Sequence, residues 1–155
     1  MPIDAEIINN AIRLAVAPVF LLTAVAGLLG AVAGRLARII DRARDLEGQL
    51  ESAACGGMTE AAQRRAVAEL ATLRKRGQLA NTSIALLTLC ALAIGLAIIL
   101  LFLAETSDMR VGISVVVSFV GGVLCYLCSL LCFLIETLLA TRVLRFRALE
   151  RQRGP

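Results

Sequence analysis

Residues 14–34 read LAVAPVFLLTAVAGLLGAVAG, a run of 21 residues without a charged side chain. An α-helix rises about 1.5 Å per residue, so this run reaches roughly 31 Å. That length matches the hydrocarbon core of a bilayer, which is about 30 Å thick. The run is followed at once by RLARIIDRAR at residues 35–44, which places four arginines at its end. The pattern predicts a membrane-spanning helix that ends at a basic boundary.

Two further uncharged runs of spanning length follow. Residues 83–104 contain 22 uncharged residues and residues 111–135 contain 25, so the third helix must tilt or bend. Hydrophobic residues make up 59% of the chain and charged residues 18%, which is too apolar for a typical soluble domain. Because the alternating pattern of a barrel strand is missing from the sequence, we predict an all-α fold with three transmembrane helices.

The AVAG sequence at residues 31–34 resembles a signal-peptide cleavage site. The segment before the first run carries two acidic residues and one arginine, whereas a signal peptide begins with a cationic segment. The run is also longer than the apolar region of most signal peptides. We therefore expect the first helix to remain uncleaved.

The distribution of Lys and Arg predicts the orientation. Residues 35–80 carry nine of them and residues 142–153 carry five, which leaves only Arg13 and Arg110 for the opposite side. Short cytoplasmic loops are enriched in Lys and Arg, so the N-terminus is predicted outside a bacterial inner membrane and the C-terminus inside. The predicted segments are an external N-terminal segment (1–13), a first transmembrane helix (14–34), a cytoplasmic helical hairpin (35–82), a second transmembrane helix (83–104), an external turn (105–110), a third transmembrane helix (111–136) and a basic cytoplasmic tail (137–155).

The hairpin prediction follows from helical periodicity on both sides of a glycine pair. Apolar residues recur at spacings of three and four in both arms, first at Leu36, Ile39, Ile40, Ala43, Leu46 and Leu50, then at Ala66, Leu70, Leu73, Gly77 and Ala80. The CGG sequence at residues 55–57 predicts the turn, and Thr59 with Glu60 predicts the start of the second arm. The arms are predicted to be antiparallel extensions of the first and second spans.

Four stretches carry a resemblance to a known family. They are APVFLLT at 17–23, GRLARIIDRAR at 34–44, LATLRKR at 70–76 and LLTL at 86–89. The chain resembles, over about residues 10–145, a family of small bacterial inner-membrane proteins classified as a domain of unknown function. The resemblance implies three spans and no established activity.

Enzyme chemistry has little support in the sequence. The chain has no histidine, and it lacks the glycine-rich loops that cradle phosphates. Cys125, Cys128 and Cys132 share one face of the third run, but a thiolate in hydrocarbon is disfavoured, so we expect them to be packing residues. We predict a protein that is not an enzyme and has no catalytic residue, cofactor or metal.

Small residues form stripes on two of the predicted spans. The first contains Gly27, Gly30 and Gly34, and the third contains Ser114, Ser118, Gly121 and Cys125 before the two remaining cysteines. Small side chains let helix backbones approach closely, so these residues are predicted packing positions. A face of this kind can also line a narrow pore.

Charged residues at the cytoplasmic ends of the spans are the remaining candidates. Arg35, Arg38 and Arg42 are predicted to contact lipid phosphates or to form ion pairs. Glu136 ends the third run, where a carboxylate is costly unless it is paired or reaches interfacial water. Arg35 or Arg38 is the expected partner, ahead of Arg142, which lies six residues away on another side of the same helix.

These observations predict a self-associating inner-membrane protein that serves as a scaffold or as an accessory subunit of a membrane complex. Its expected partners are membrane lipids and either copies of itself or a larger complex. No nucleic acid is expected, because topology explains the positive charge and no aromatic residues accompany it. The alternative function is a homo-oligomeric channel or small-solute pore, which would require several copies of three helices.

Overall fold

The computed structural model describes residues 5–54, 59–106 and 112–152, with side chains chiefly within 15–52, 59–104 and 112–141. These residues form three long helices, α1 (Ala5–Ala54), α2 (Glu60–Thr106) and α3 (Gly112–Gln152). The described residues contain no strand. The predicted all-α fold with three long apolar helices is confirmed.

Each helix contains a segment that is long and apolar enough to cross a membrane. The candidate spans lie within Ala15–Ser52, Glu60–Ala104 and Gly112–Thr141. Only 17%, 22% and 11% of the residues in their most apolar windows are buried inside the chain. Most of this apolar surface therefore faces outward, which is unfavourable in water and favourable in lipid. The chain is a multi-pass membrane protein.

The described residues that each helix buries recur largely at intervals of seven. The series are Val25, Val32, Ile39 and Leu46 on α1, Ala66, Leu73, Ala80, Leu87 and Ile94 on α2, and Gly122, Ser129 and Glu136 on α3. A seven-residue repeat keeps one narrow face of a helix turned toward its neighbours. Each helix therefore contributes a thin stripe to the interior and leaves its other faces exposed.

The described residues divide into two compact units, and the first combines parts of residues 1–30 and 84–129. Its buried residues include Leu87, Cys90 and Ile94. A Cβ atom built on Gly122 would lie 3.0 Å from Cγ1 of Ile94, so the α2 and α3 backbones approach closely at this point. The unit is packed around a glycine contact.

The second unit combines parts of residues 31–83 and 130–155. Ile39 and Leu46 of α1 form a buried apolar cluster with Ala66 and Leu73 of α2, and Ala43, Leu50 and Leu70 pack against it. All seven belong to the periodic pattern that predicted the two hairpin arms. The cytoplasmic location of these arms stays a prediction, and the predicted turn at residues 55–57 lies outside the described residues.

The start of α2 has the geometry of a helix N-terminus. The carbonyl oxygen of Thr59 accepts hydrogen bonds from the amides of Ala62 and Gln63, at 2.9 and 3.1 Å. Glu60 lies in the first turn, where a negative charge opposes the positive end of the helix dipole. Local sequence therefore accounts for the position at which α2 begins.

Candidate functional site

The site is built around a carboxylate that the fold buries. Glu136 occupies the last position of the α3 series that begins at Gly122, so helix geometry directs it to the interior. Its side chain is only 1% exposed. A buried carboxylate is costly unless cations and hydrogen-bond donors surround it, so its partners decide whether this arrangement is stable.

Two arginines from different helices surround Glu136. Arg76 of α2 donates hydrogen bonds from Nε and Nη2 to Oε1, at 3.1 and 2.9 Å. Nη2 of Arg35 on α1 lies 2.7 Å from Oε2. This contact is an ion pair, but its angles are not those of a hydrogen bond. The Arg35 guanidinium also lies 5.2 Å from the centre of the Phe133 ring, within range of a cation–π interaction. One carboxylate thus joins all three helices.

One of the predicted partners contacts Glu136. The structure brings Arg35 to it, whereas no ion pair between Arg38 and Glu136 occurs among the described side chains. The side chain of Arg142 lies outside the described residues. Sequence reasoning missed Arg76, although a signal was present. Arg76 lies three residues after Leu73 and four before Ala80, so it falls on the buried stripe of α2, where a charge needs a partner.

Four arginines line a cavity of about 320 Å³ together with Ile39 and Leu73. The arginines are Arg35, Arg38, Arg42 and Arg76, and we call this cavity the arginine pocket. Arg42 donates hydrogen bonds to Oε1 of Glu69 from Nε and Nη2, at 3.3 and 3.2 Å. Among the described side chains, Arg38 is the pocket arginine without an ion pair to a carboxylate. The pocket thus holds cations in excess of the carboxylates that contact them.

The glycines of α1 lie on a side of the helix that makes no close contact with other described residues. Gly27, Gly30 and Gly34 are exposed, and a Cβ atom on any of them would meet no atom of another described residue within 4 Å. Val25 and Val32 are 2% and 0% exposed. Since consecutive helical residues are about 100° apart, the three glycines lie on the side of α1 opposite these valines. We call this surface the glycine face.

The small residues of α3 divide between contact and open surface. Ser118 Oγ donates a hydrogen bond of 2.9 Å to the carbonyl oxygen of Ala93. Ser114 is exposed, Cys125 is half-buried, and a Cβ atom on Gly121 would meet nothing within 4 Å. The close contact lies one residue further along, at Gly122. The described residues contain no group of three or more side chains suited to hold a metal ion.

A known protein family matches most of the chain. A family model described as "Protein of unknown function (DUF2721)" matches residues 15–146, which include most of all three helices. Neither the curated proteins nor the solved structures include a significant match to the chain. The geometry of the chain itself is therefore the main guide to its function.

Proposed function

The chain belongs to the DUF2721 family, and we propose that it is a non-enzymatic inner-membrane protein that self-associates and acts as a scaffold or accessory subunit. The glycine face of α1 carries this proposal. A membrane offers little hydrophobic drive for helix association, so close backbone contact at small residues supplies much of the attraction. The occupant of the glycine face is the same face of a second copy.

The openness of the glycine face supports this assignment. A glycine within a helix is less favourable than alanine by about 0.5–1 kcal/mol. Gly27, Gly30 and Gly34 contribute no close contact within the described part of the chain that would offset this cost. Their spacing of three and four gathers them on one side of α1, as expected for a helix that meets another helix at small residues. A contact between copies explains why glycines stand there.

The non-enzymatic part of the proposal is supported by residue types. The sequence has no histidine, the side chain that most often acts as a general acid or base near neutral pH, and only one tyrosine. Its arginines are permanently charged and serve to bind anions. The same composition suits a protein whose role is contact with lipids and other chains.

Particle mass tests self-association. We expect the full-length protein, purified in detergent, to have a mass of two or more copies by light scattering. Replacement of Gly30 by Leu should overfill the contact and weaken association by about 1–3 kcal/mol. Ala24→Leu is the matched control, because Ala24 is exposed on α1 about a quarter-turn from the glycine face. A wild-type monomer, or a G30L variant with wild-type assembly, would contradict the proposal.

Single-particle images separate the proposed role from the alternative. A ring with an axial opening would favour a homo-oligomeric channel or pore, which needs several copies to enclose a path. A foreign chain in fixed proportion would favour an accessory subunit. A compact assembly without an opening favours a scaffold.

The proposed orientation places the N-terminus outside and the hairpin and basic tail in the cytoplasm. It rests on the split of 14 Lys or Arg residues to 2 between the two sides. Cys55, which lies outside the described residues, reports on it. A membrane-impermeant maleimide should label Cys55 in inverted vesicles and not in intact spheroplasts, with Cys55→Ser as the control. Labelling of Cys55 in intact spheroplasts would show that the orientation is the opposite of the one proposed.

A further inference from the structure

We propose that the arginine pocket is a binding site for a phosphate group, carried either by the head of an anionic phospholipid or by a soluble phosphate compound. This goes beyond self-association, because it assigns a ligand to a different surface of the chain. The pocket has the volume, the donors and the charge that such a ligand requires, and each can be read from its lining.

The donors converge from two helices. Arg35, Arg38 and Arg42 follow one another at spacings of three and four on α1, so they project from neighbouring positions on one side of the helix. Arg76 reaches the same cavity from α2. A guanidinium presents a planar fork of N–H donors that matches the oxygens of a phosphate. Four such forks around about 320 Å³ are suited to a tetrahedral anion.

The charge balance of the pocket favours an anion. Among the described side chains, two carboxylates contact its four guanidinium groups: Glu136 pairs with Arg35 and Arg76, and Glu69 pairs with Arg42. These four guanidinium groups and two carboxylates together carry a net charge of +2. Arg38 is exposed and has no carboxylate within ion-pair distance among the described side chains. A bound phosphate would reduce the electrostatic repulsion between these arginines, and its oxygens would accept hydrogen bonds from their N–H groups.

Two of the donors are held in place before any ligand arrives. Glu136 fixes both Arg35 and Arg76, and the Phe133 ring lies beneath the Arg35 guanidinium. Oriented donors lose less conformational entropy when they bind, so the same contacts give higher affinity. Glu136 is therefore a positioning residue for the pocket.

The place of the pocket in the chain favours a lipid over a soluble compound. Arg35 directly follows the uncharged run 14–34, so it lies where a helix passes from hydrocarbon to head groups. Ile39 and Leu73 add apolar surface to the lining, which suits the glycerol and upper acyl region of a phospholipid.

Native mass spectrometry of the full-length protein in detergent tests the site with phosphatidic acid as the probe and phosphatidylcholine as the zwitterionic control. Arg38→Gln is the test variant, because removing Arg38 breaks no described ion pair. Arg44→Gln removes the same charge from an exposed position of α1 outside the pocket lining. We expect R38Q to weaken phosphatidic acid binding by about fivefold and R44Q to leave it within about twofold.

A second arm adds inorganic phosphate to the lipid complex. Displacement of phosphatidic acid by inorganic phosphate from both the wild type and R44Q, whose pocket lining is unchanged, would assign the pocket to soluble phosphate compounds. Retention of the lipid would assign it to head groups, as we expect. The proposal is overturned if the wild type does not prefer phosphatidic acid to phosphatidylcholine, or if R38Q and R44Q lose binding equally. Particle mass measured on the same samples keeps this result separate from self-association.

Discussion

Arg76 donates two hydrogen bonds to a single oxygen of Glu136, from Nε at 3.1 Å and from Nη2 at 2.9 Å. The carboxylate is 1% exposed, whereas the side chains of Arg76 and Arg35 are 21% and 27% exposed. The anion is thus enclosed while its cations still reach solvent. Removal of a cation should therefore be more damaging here than at the surface, because the buried charge cannot recover water.

Replacement of Arg76 by Gln should destabilise the protein by about 1–3 kcal/mol, since Arg35 would be the one described cation left beside Glu136. Arg74→Gln is the matched control, because Arg74 is exposed two residues away on α2. Thermal unfolding in detergent at one ionic strength measures both variants. An equal and small effect of the two changes would show that Arg76 does not stabilise the buried carboxylate.

A charge-swap series separates Arg35 from Arg38. Glu136→Arg should destabilise strongly, because it places three cations together. Adding Arg35→Glu should restore part of the loss, whereas adding Arg38→Glu should restore little, since Arg38 is not paired with Glu136. Rescue is incomplete because Arg76 would still face a cation. Equal rescue by the two second changes would mean that Arg35 has no special position.

Hydropathy and charge predicted the helical class and the number of spans. In lipid, backbone groups must pair within a segment, so an uncharged run of 21 residues or more leaves few alternatives to a helix. Periodicity also predicted the residues that form the cluster of α1 and α2, because a helix must bury its apolar stripe. Lengths and periods are local properties, and sequence reports them directly.

The rotation of each helix about its axis was harder to predict. On α3 the spacing of small residues predicted Gly121 as a packing position. The close contact is instead made at Gly122, about 100° around the helix. Two overlapping seven-residue stripes occur there, and only the neighbouring helix selects between them. Arg76 was missed for a related reason. Glu136 ends a long uncharged run, so the sequence indicates that it needs a partner. Which residue is the partner depends on how α2 packs against α3.

The pair of Arg42 and Glu69 should contribute modestly. Its side chains are 47% and 21% exposed, so solvent screens the attraction. A double-mutant cycle with Arg42→Gln and Glu69→Gln should give a coupling of about 0.2–1 kcal/mol that falls as salt is raised. The pair of Arg64 and Glu60, at 83% and 89% exposed, serves as the control and should show less coupling. A salt-independent coupling for Arg42 and Glu69 would contradict this account.

Ser118→Ala should cost about 0.6 kcal/mol, the average for hydrogen bonds between membrane helices. The change removes the bond of 2.9 Å from Ser118 Oγ to the Ala93 carbonyl oxygen. Ser114→Ala removes an identical group from an exposed position one turn earlier and should be neutral. Unfolding of both variants in the same detergent provides the comparison. A larger loss of stability for S114A than for S118A would show that the hydrogen bond from Ser118 is not the one that stabilises the contact.

The adjacent glycines of α3 give the sharpest test of packing. A Cβ atom on Gly122 would lie 3.0 Å from Cγ1 of Ile94, 3.4 Å from Cβ of Ala93 and 3.4 Å from the carbonyl oxygen of Cys90. The contacts at 3.4 Å are ordinary van der Waals separations, whereas the contact with Ile94 is tight. The Ile94 side chain is fully buried, so it has little room to shift away from an added methyl group. Gly122→Ala should therefore destabilise by about 1–3 kcal/mol, the usual cost of overfilling a close contact.

Gly121→Ala is the matched control, because the same methyl group would meet no atom within 4 Å. Alanine is the better helix former by about 0.5–1 kcal/mol, so this variant should unfold at the same temperature as the wild type or slightly higher. Melting temperatures of G122A and G121A in one detergent show which glycine lies in the contact. If G121A proves the more damaging change, the contact face of α3 is rotated toward Gly121, and the close approach to Ile94 is not the one that stabilises the protein.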